Sequence, residues 1–302
     1  MKKNAVNILL ILVFLIGLSL LLYPSVSDYW NSLHQTRAMT LYTDEVAKIS
    51  REEADRLWKQ AEDFNASIRQ RSVVYTLSDE EMEEYNRCLS LDNSGIMGYI
   101  EIPSLEISLP IYHGTSESVL KSGIGHLDWT SLPVGGAGTH CVISGHRGLP
   151  SAKLFTNLDK LGEGDLFMMR VLDEVLTYEV DQIRIVEPDQ IDDLHIVDGM
   201  DYCTLVTCTP FGINTHRLLV RGTRIPYEEA EVIIAEKLQV EDAPASTWEQ
   251  QYIKGILLGI ATVAVILVFC IWGSHCQKRR RRRKTRQREQ FRPRKRGKYE
   301  KA

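Results

Sequence analysis

The chain has 302 residues with 36 Lys and Arg against 40 Asp and Glu, and its formal charge of −4 hides an uneven distribution. Residues 277–302 hold 15 basic and 2 acidic side chains, leaving 21 against 38 for the rest. That basic run directly follows an apolar segment, so its expected partner is anionic lipid rather than nucleic acid, and six cysteines with no Cys-x-x-Cys pair disfavour a zinc site.

Residues 5–22 follow Met1-Lys2-Lys3, carry no charge, and are about long enough to cross a bilayer core. This segment reads as an export signal or signal anchor. We take it as retained, although Ser25-Val26-Ser27 has the small residues of a cleavage site. Residues 255–273 are again uncharged, and Arg279 to Arg283 follow between Lys278 and Lys284 as a stop-transfer pattern. Under the positive-inside rule both termini are cytoplasmic and the intervening chain is external. The expected divisions are 1–27 (cytoplasmic start and anchor), 28–95 (helical segment), 96–227 (catalytic β domain), 228–253 (helix and linker), 254–273 (second span) and 274–302 (basic tail).

Within residues 34–68, Val46, Ile49, Leu57, Ala61, Phe64 and Ile68 fall at helical spacings among charged residues, which predicts a helix packing one apolar stripe on the domain. A short helix over 79–87 is signalled by Ser78 as N-cap before Asp79, Glu80 and Glu81. After Asn93-Ser94-Gly95 the period becomes two. Strands are expected at 98–103, 107–113, 140–144, 166–171, 176–185, 201–208 and 216–225, followed by a helix at 227–238. Seven or more short strands with little helix between them imply a mostly β fold, a closed or nearly closed barrel.

Cys208 ends an apolar run, Leu205-Val206-Thr207, and His146 follows another, Val142-Ile143-Ser144. A thiol attacks a carbonyl only as thiolate and needs a neighbouring base or cation. If the two strands are adjacent, their ends bring Cys208 and His146 to one rim, with Gly145 and Gly148 permitting the turn. Arg217, nine residues after Cys208, offers a permanent charge and forked donors for an oxyanion. Arg221 and Arg224 lie further along the same segment and read as surface ion-pairing residues. The Thr207 hydroxyl is a candidate for the oxyanion or substrate site, with a plain strand residue as the alternative. His126 is a further histidine of the β region, and His140 beside Cys141 superficially suggests metal ligands, but no His-x3-His spacing or carboxylate supports a metal. His216 is expected on the strand face opposite Arg217. Cys88, Cys141 and Cys203 read as buried thiols or disulfide partners, and Cys270 and Cys276 belong to the second apolar segment and its edge.

Thr204-Leu-Val-Thr-Cys208 with Arg217, Ser144-Gly-His146-Arg-Gly148 and Gly98-Tyr-Ile-Glu-Ile-Pro103 resemble the sortases of Gram-positive bacteria, and the two-span layout is most similar to the pilin-polymerising class C enzymes. The resemblance implies a closed eight-stranded barrel with N-terminal helices, flanked by two transmembrane helices. It also implies recognition of a Leu-Pro-x-Thr-Gly sorting signal on pilin or surface proteins, and transpeptidation through a thioester with no cofactor. Cys208 would attack the threonine carbonyl, Arg217 hold the oxyanion, and His146 protonate the leaving glycine amine before a pilin lysine opens the acyl-enzyme. Class C enzymes commonly carry an Asp-Pro-aromatic lid before the barrel. No Asp-Pro occurs upstream of Ile96, which leaves Tyr75 as the aromatic lid candidate. The alternatives are a sortase that attaches proteins to cell-wall peptide, a cysteine hydrolase, and an exported peptide- or lipid-binding barrel without catalysis.

Overall fold

The change to period two near residue 96 marks the start of eight strands. In a computed structural model that describes residues 2–69, 76–92, 94–230, 233 and 259, they are β1 (Ile96–Ile102), β2 (Ile107–His113), β3 (Ile124–His126), β4 (Thr139–Ser144), β5 (Leu166–Val171), β6 (Glu174–Val186), β7 (Asp201–Thr209) and β8 (His216–Ile225). They close into a barrel in the order β1-β2-β3-β4-β7-β8-β6-β5, which leaves no open sheet edge. The β2–β3 and β4–β7 ladders are parallel and the other ladders antiparallel. Of the eight, β3 is the strand that the alternation did not predict. It is three residues long and buried throughout, so it has no polar face to alternate with.

The pleat sends every second side chain inward. On β4 and β7, Cys141, Ile143, Cys203 and Leu205 enter the main core. Val142 and Val206 point out of the barrel, yet they are buried in a second apolar cluster with Val186, Leu194 and Leu219, against which Trp129 and Ile191 pack. An outward face is buried only if something covers it, and the covering segments are the connections before β4 and before β7.

Among the described residues four α-helices precede or interrupt the sheet: α1 (Lys2–Val46), α2 (Arg51–Arg69), α3 (Asp79–Arg87) and α4 (Glu117–Ser122). The single helix expected over 34–68 is therefore two. Ser50 caps the second one by accepting from the Glu53 amide at 3.2 Å, so the chain restarts there. Ala54, Leu57, Ala61 and Phe64 form the buried stripe of α2. Asn65 then pairs both ways with the Leu132 backbone, donating at 3.1 Å and accepting at 2.7 Å. The α3 prediction holds, with a capping box in which the Glu81 amide donates to Ser78 Oγ at 3.3 Å and the Ser78 amide donates to Glu81 Oε2 at 2.8 Å.

Two compact units are distinguished, Met1–Glu236 and Lys237–Ala302. After β8 the chain turns helical at 227–230. Most of the helix expected to 238, the second apolar segment at 254–273 and the basic tail lie outside the described residues, apart from Gly259, which is helical and exposed. Among the described residues one helix, α1, is long and apolar enough to cross a membrane, so of the two flanking spans in the expected fold the structure presents one candidate.

Candidate active site

β4 and β7 are parallel neighbours with Ser144 opposite Val206. Two residues beyond each stand His146 and Cys208, so the register carries both to the same end of the barrel. The contact continues past the ladder, where the Gly145 amide donates to the Val206 carbonyl at 3.0 Å and the Thr207 hydroxyl to the Gly145 carbonyl at 2.7 Å. On the other side of β7, Cys208 and Arg217 are direct cross-strand partners. Such partners project side by side on one face, with Cβ atoms typically about 5 Å apart. By the alternation that puts Cys203 and Leu205 inside, Cys208 shares the outer face with Val206, directly above the outer apolar cluster.

Cys208 differs from the other described cysteines. Cys88, Cys141 and Cys203 are buried free thiols, whereas Cys208 is partly exposed. Burial pushes the Cys88 thiol up to about 12 and Cys203 well above the ordinary range, so neither supplies a thiolate. No pairing of Cys88, Cys141 or Cys203 into a disulfide is present.

Arg217 directs Nη1 to the carbonyls of Asn214 at 3.3 Å and His216 at 3.1 Å, and no carboxylate pairs with it among the described residues. Arg221 is the opposite case. It forms a two-point pair with Asp181 at 3.0 and 2.8 Å and lies over the Tyr202 ring at 4.2 Å. Arg224 donates to the Val175 carbonyl and faces the Tyr178 ring, a packing arrangement rather than the surface ion pair expected of it. His216 reaches Glu187 at 3.5 Å.

The loop that carries His146 is held by several bonds. Phe155 donates its amide to the His146 carbonyl at 3.1 Å, and Gly148 donates to Thr156 Oγ1 at 3.2 Å. The two glycines serve different ends: Gly148 has φ +79°, whereas a Cβ on Gly145 would lie 2.6 Å from the Phe155 ring. Arg147, to which sequence reasoning gave no role, bonds to Thr209 Oγ1 at 3.1 Å and to Asp159 at 2.5 Å, with a side chain only 8% exposed. It clamps the His146 loop to the residue after Cys208. Its adjacency to His146 was the available signal.

Thr207, His140 and His126 are all buried. The Thr207 hydroxyl is buried on the barrel interior and committed to Gly145, so it fixes the two strand ends rather than donating to an oxyanion. His140 is a buried core residue: Nδ1 donates to the His195 carbonyl at 2.9 Å and Nε2 accepts from Thr204 Oγ1 at 2.7 Å. Burial lowers its pKa to about 4, so the ring is neutral. His126 is likewise enclosed, between Tyr85 Oη at 3.0 Å and the Ser131 carbonyl at 2.8 Å. No group of three or more His, Cys, Asp or Glu side chains able to hold a metal occurs among the described residues. Tyr75 lies outside the described residues. Its flanks, Arg69 and Leu77, line a cavity of about 300 Å³ together with Trp129, His140 and Leu194, which adjoins the outer apolar cluster.

The Sortase domain family matches residues 100–225, a span that holds Cys208, His146 and Arg217. A crystal structure of sortase C1 from Streptococcus agalactiae is 50% identical, with a TM-score of 0.62, and covers 63% of this chain and 98% of its own. The chain belongs to the sortase family. It is a cysteine transpeptidase whose structural neighbours are class C sortases. Another of these, sortase C from Streptococcus pneumoniae, a structure described with pilin substrate specificity, is 46% identical, with a TM-score of 0.58, and covers 63% of this chain and 97% of its own. Sortase D of Bacillus subtilis is 29% identical over 131 residues, 42% of this chain, and the match spans 63% of that relative's length. This sortase therefore shares the barrel with other classes, and with class C sortases it also shares chain outside the barrel.

Proposed function

We propose that this sortase polymerises pilin subunits by cleaving a Leu-Pro-x-Thr-Gly-like signal between threonine and glycine and passing the acyl group to a lysine amine. The observation that carries the reading is the position of Cys208: a partly exposed thiol on the outer face, cross-strand partner of Arg217 and in register with His146.

In the first step the Cys208 sulfur bonds to the threonine carbonyl carbon while the Thr–Gly C–N bond breaks. Arg217, whose charge is not neutralised by a described carboxylate, donates to the developing oxyanion. His146 gives its proton to the departing glycine amine. In the second step a lysine amine attacks the thioester, its proton passes to His146, and the carbon–sulfur bond breaks to leave an isopeptide bond and the Cys208 thiolate beside the reprotonated His146. Chain and substrates meet at a membrane, held there by the exposed apolar run of α1 and, in the full layout, by the segment at 254–273. Both termini are cytoplasmic in this reading, and the barrel is external.

The test is mass spectrometry of the protein with a sorting-signal peptide, followed by addition of a lysine peptide, a cell-wall-type stem peptide, or water alone. A thioester at Cys208 resolved by the lysine peptide supports the reading. Preferential resolution by the stem peptide makes it an anchoring sortase, and resolution by water alone makes it a hydrolase.

A further inference from the structure

We propose that the catalytic end of the barrel rests on the bilayer surface, with Phe211 and Ile213 of the β7–β8 turn seated among the lipid headgroups. The proposal depends on the reading that α1 anchors the chain. It starts from the order in which α1 meets the barrel. Asp28 accepts from the Lys153 amide at 2.8 Å and Asn31 donates to the Ser151 carbonyl at 2.7 Å, both on the loop that follows His146. Gln35 then reaches Ser122 at 3.1 Å, just before β3, whose Gly125 stands opposite Ser144. Tyr42 finally bonds to Met97 and Leu172, at the start of β1 and the β5–β6 turn. β1 pairs antiparallel with β2, and β2 runs parallel to β3 and so opposite to β4 and β7. Met97 therefore lies at the end of the barrel away from Cys208. α1 descends from the catalytic end to the far end, and its apolar run projects beyond the catalytic end.

The spacing is short. Asp28 lies six positions after Leu22, the last of the apolar run, about 9 Å along the helix axis, and Pro24 between them can bend that stretch but not lengthen it. Tyr23, Tyr29 and Trp30 follow the apolar run with 56%, 66% and 63% exposure, the residue types and position of an interfacial belt. Phe211 and Ile213 are 58% and 68% exposed on a turn closed by the Asn214 amide on the Pro210 carbonyl at 2.9 Å. The Phe211 ring lies beside Gly148 and 6.0 Å from the Arg147 guanidinium, on the loop that α1 grips through Ser151 and Lys153. One loop thus joins the anchor to the exposed apolar pair. A scissile bond near the membrane exit of an anchored substrate would meet Cys208 without either protein leaving the surface.

The experiment uses the full chain in lipid nanodiscs that carry a headgroup nitroxide, on a Cys208→Ala, Cys270→Ala, Cys276→Ala background. A bimane label is placed in turn at Leu20→Cys, Ile213→Cys and Val197→Cys, the last ahead of β7 at the far end. Quenching at 20 and 213 but not at 197 is expected. Quenching at 20 with 213 as unquenched as 197 overturns the proposal and leaves the anchor intact. No quenching at 20 overturns the anchor and the proposal with it. In an otherwise wild-type chain, Ile213→Ser should slow turnover of a bilayer-embedded substrate several-fold and leave a soluble sorting-signal peptide unaffected. Equal loss on both substrates would make the turn a peptide contact and overturn the proposal.

Discussion

Thr207 donates its hydroxyl to the Gly145 carbonyl at 2.7 Å, and this bond joins the strand that carries Cys208 to the loop that carries His146. Thr207→Val keeps the shape and leaves a buried carbonyl unpartnered, which should cost about 1–3 kcal/mol. Turnover should fall by about tenfold through loss of alignment between the two groups. Thr207→Ser should restore most of both. Urea unfolding and peptide turnover measured side by side check it, and a stability loss without a rate loss would limit Thr207 to the fold.

Cys208→Ala should abolish the thioester, whereas Cys141→Ala and Cys203→Ala should retain measurable activity. The latter two thiols are buried inside the barrel, out of a peptide's reach. Peptide mapping of the adduct decides, and an adduct on Cys141 or Cys203 would remove the assignment.

His146→Ala and Arg217→Ala should each lower turnover by about two orders of magnitude or more, the scale for losing a general acid or an oxyanion donor. Arg221→Ala should not, since its guanidinium is engaged by Asp181 and Tyr202. Near-full activity in Arg217→Lys would contradict a forked donor role.

The pH dependence of stability should carry the mark of His140. Its folded pKa is about 4, held down by burial, against roughly 6.5 when unfolded, so the unfolded chain takes up the proton first. Stability is then full above about pH 6.5 and declines as pH falls towards 4, by roughly 3 kcal/mol for this group. His113, also lowered by burial, acts in the same direction. Denaturant titrations at several pH values should show a shallower slope in His140→Gln. An unchanged slope would assign the dependence elsewhere.

Tyr75 gives a further test. Arg69 and Leu77, six residues before Tyr75 and two after it, line the cavity beside the outer apolar cluster, nearer the starts of β4 and β7 than Cys208 is. If Tyr75 shields the thiol, Tyr75→Ala should increase the rate at which Cys208 reacts with a small thiol reagent. An unchanged rate in a folded protein would mean that the site is open without it.

The sequence by itself determined the elements whose signal is local. Ser78 before three acids announced α3, the alternating runs predicted seven strands, and Cys208, His146 and Arg217 stood out because the first two close such runs and the third opens one. Tertiary structure decided what depends on partners distant in the chain. The break at Ser50 shows as a cap rather than as a change in apolar spacing, and β3 is too short and too buried to alternate. Thr207 and His140 have ordinary polar side chains in sequence. Only the β4–β7 register turns one inward onto Gly145 and places the other between Thr204 and His195. Arg147 likewise acquires its clamp from Asp159 and Thr209, twelve and sixty-two residues away. Chain neighbours specify which side chains a strand can offer, whereas closure of the barrel specifies which of them meet.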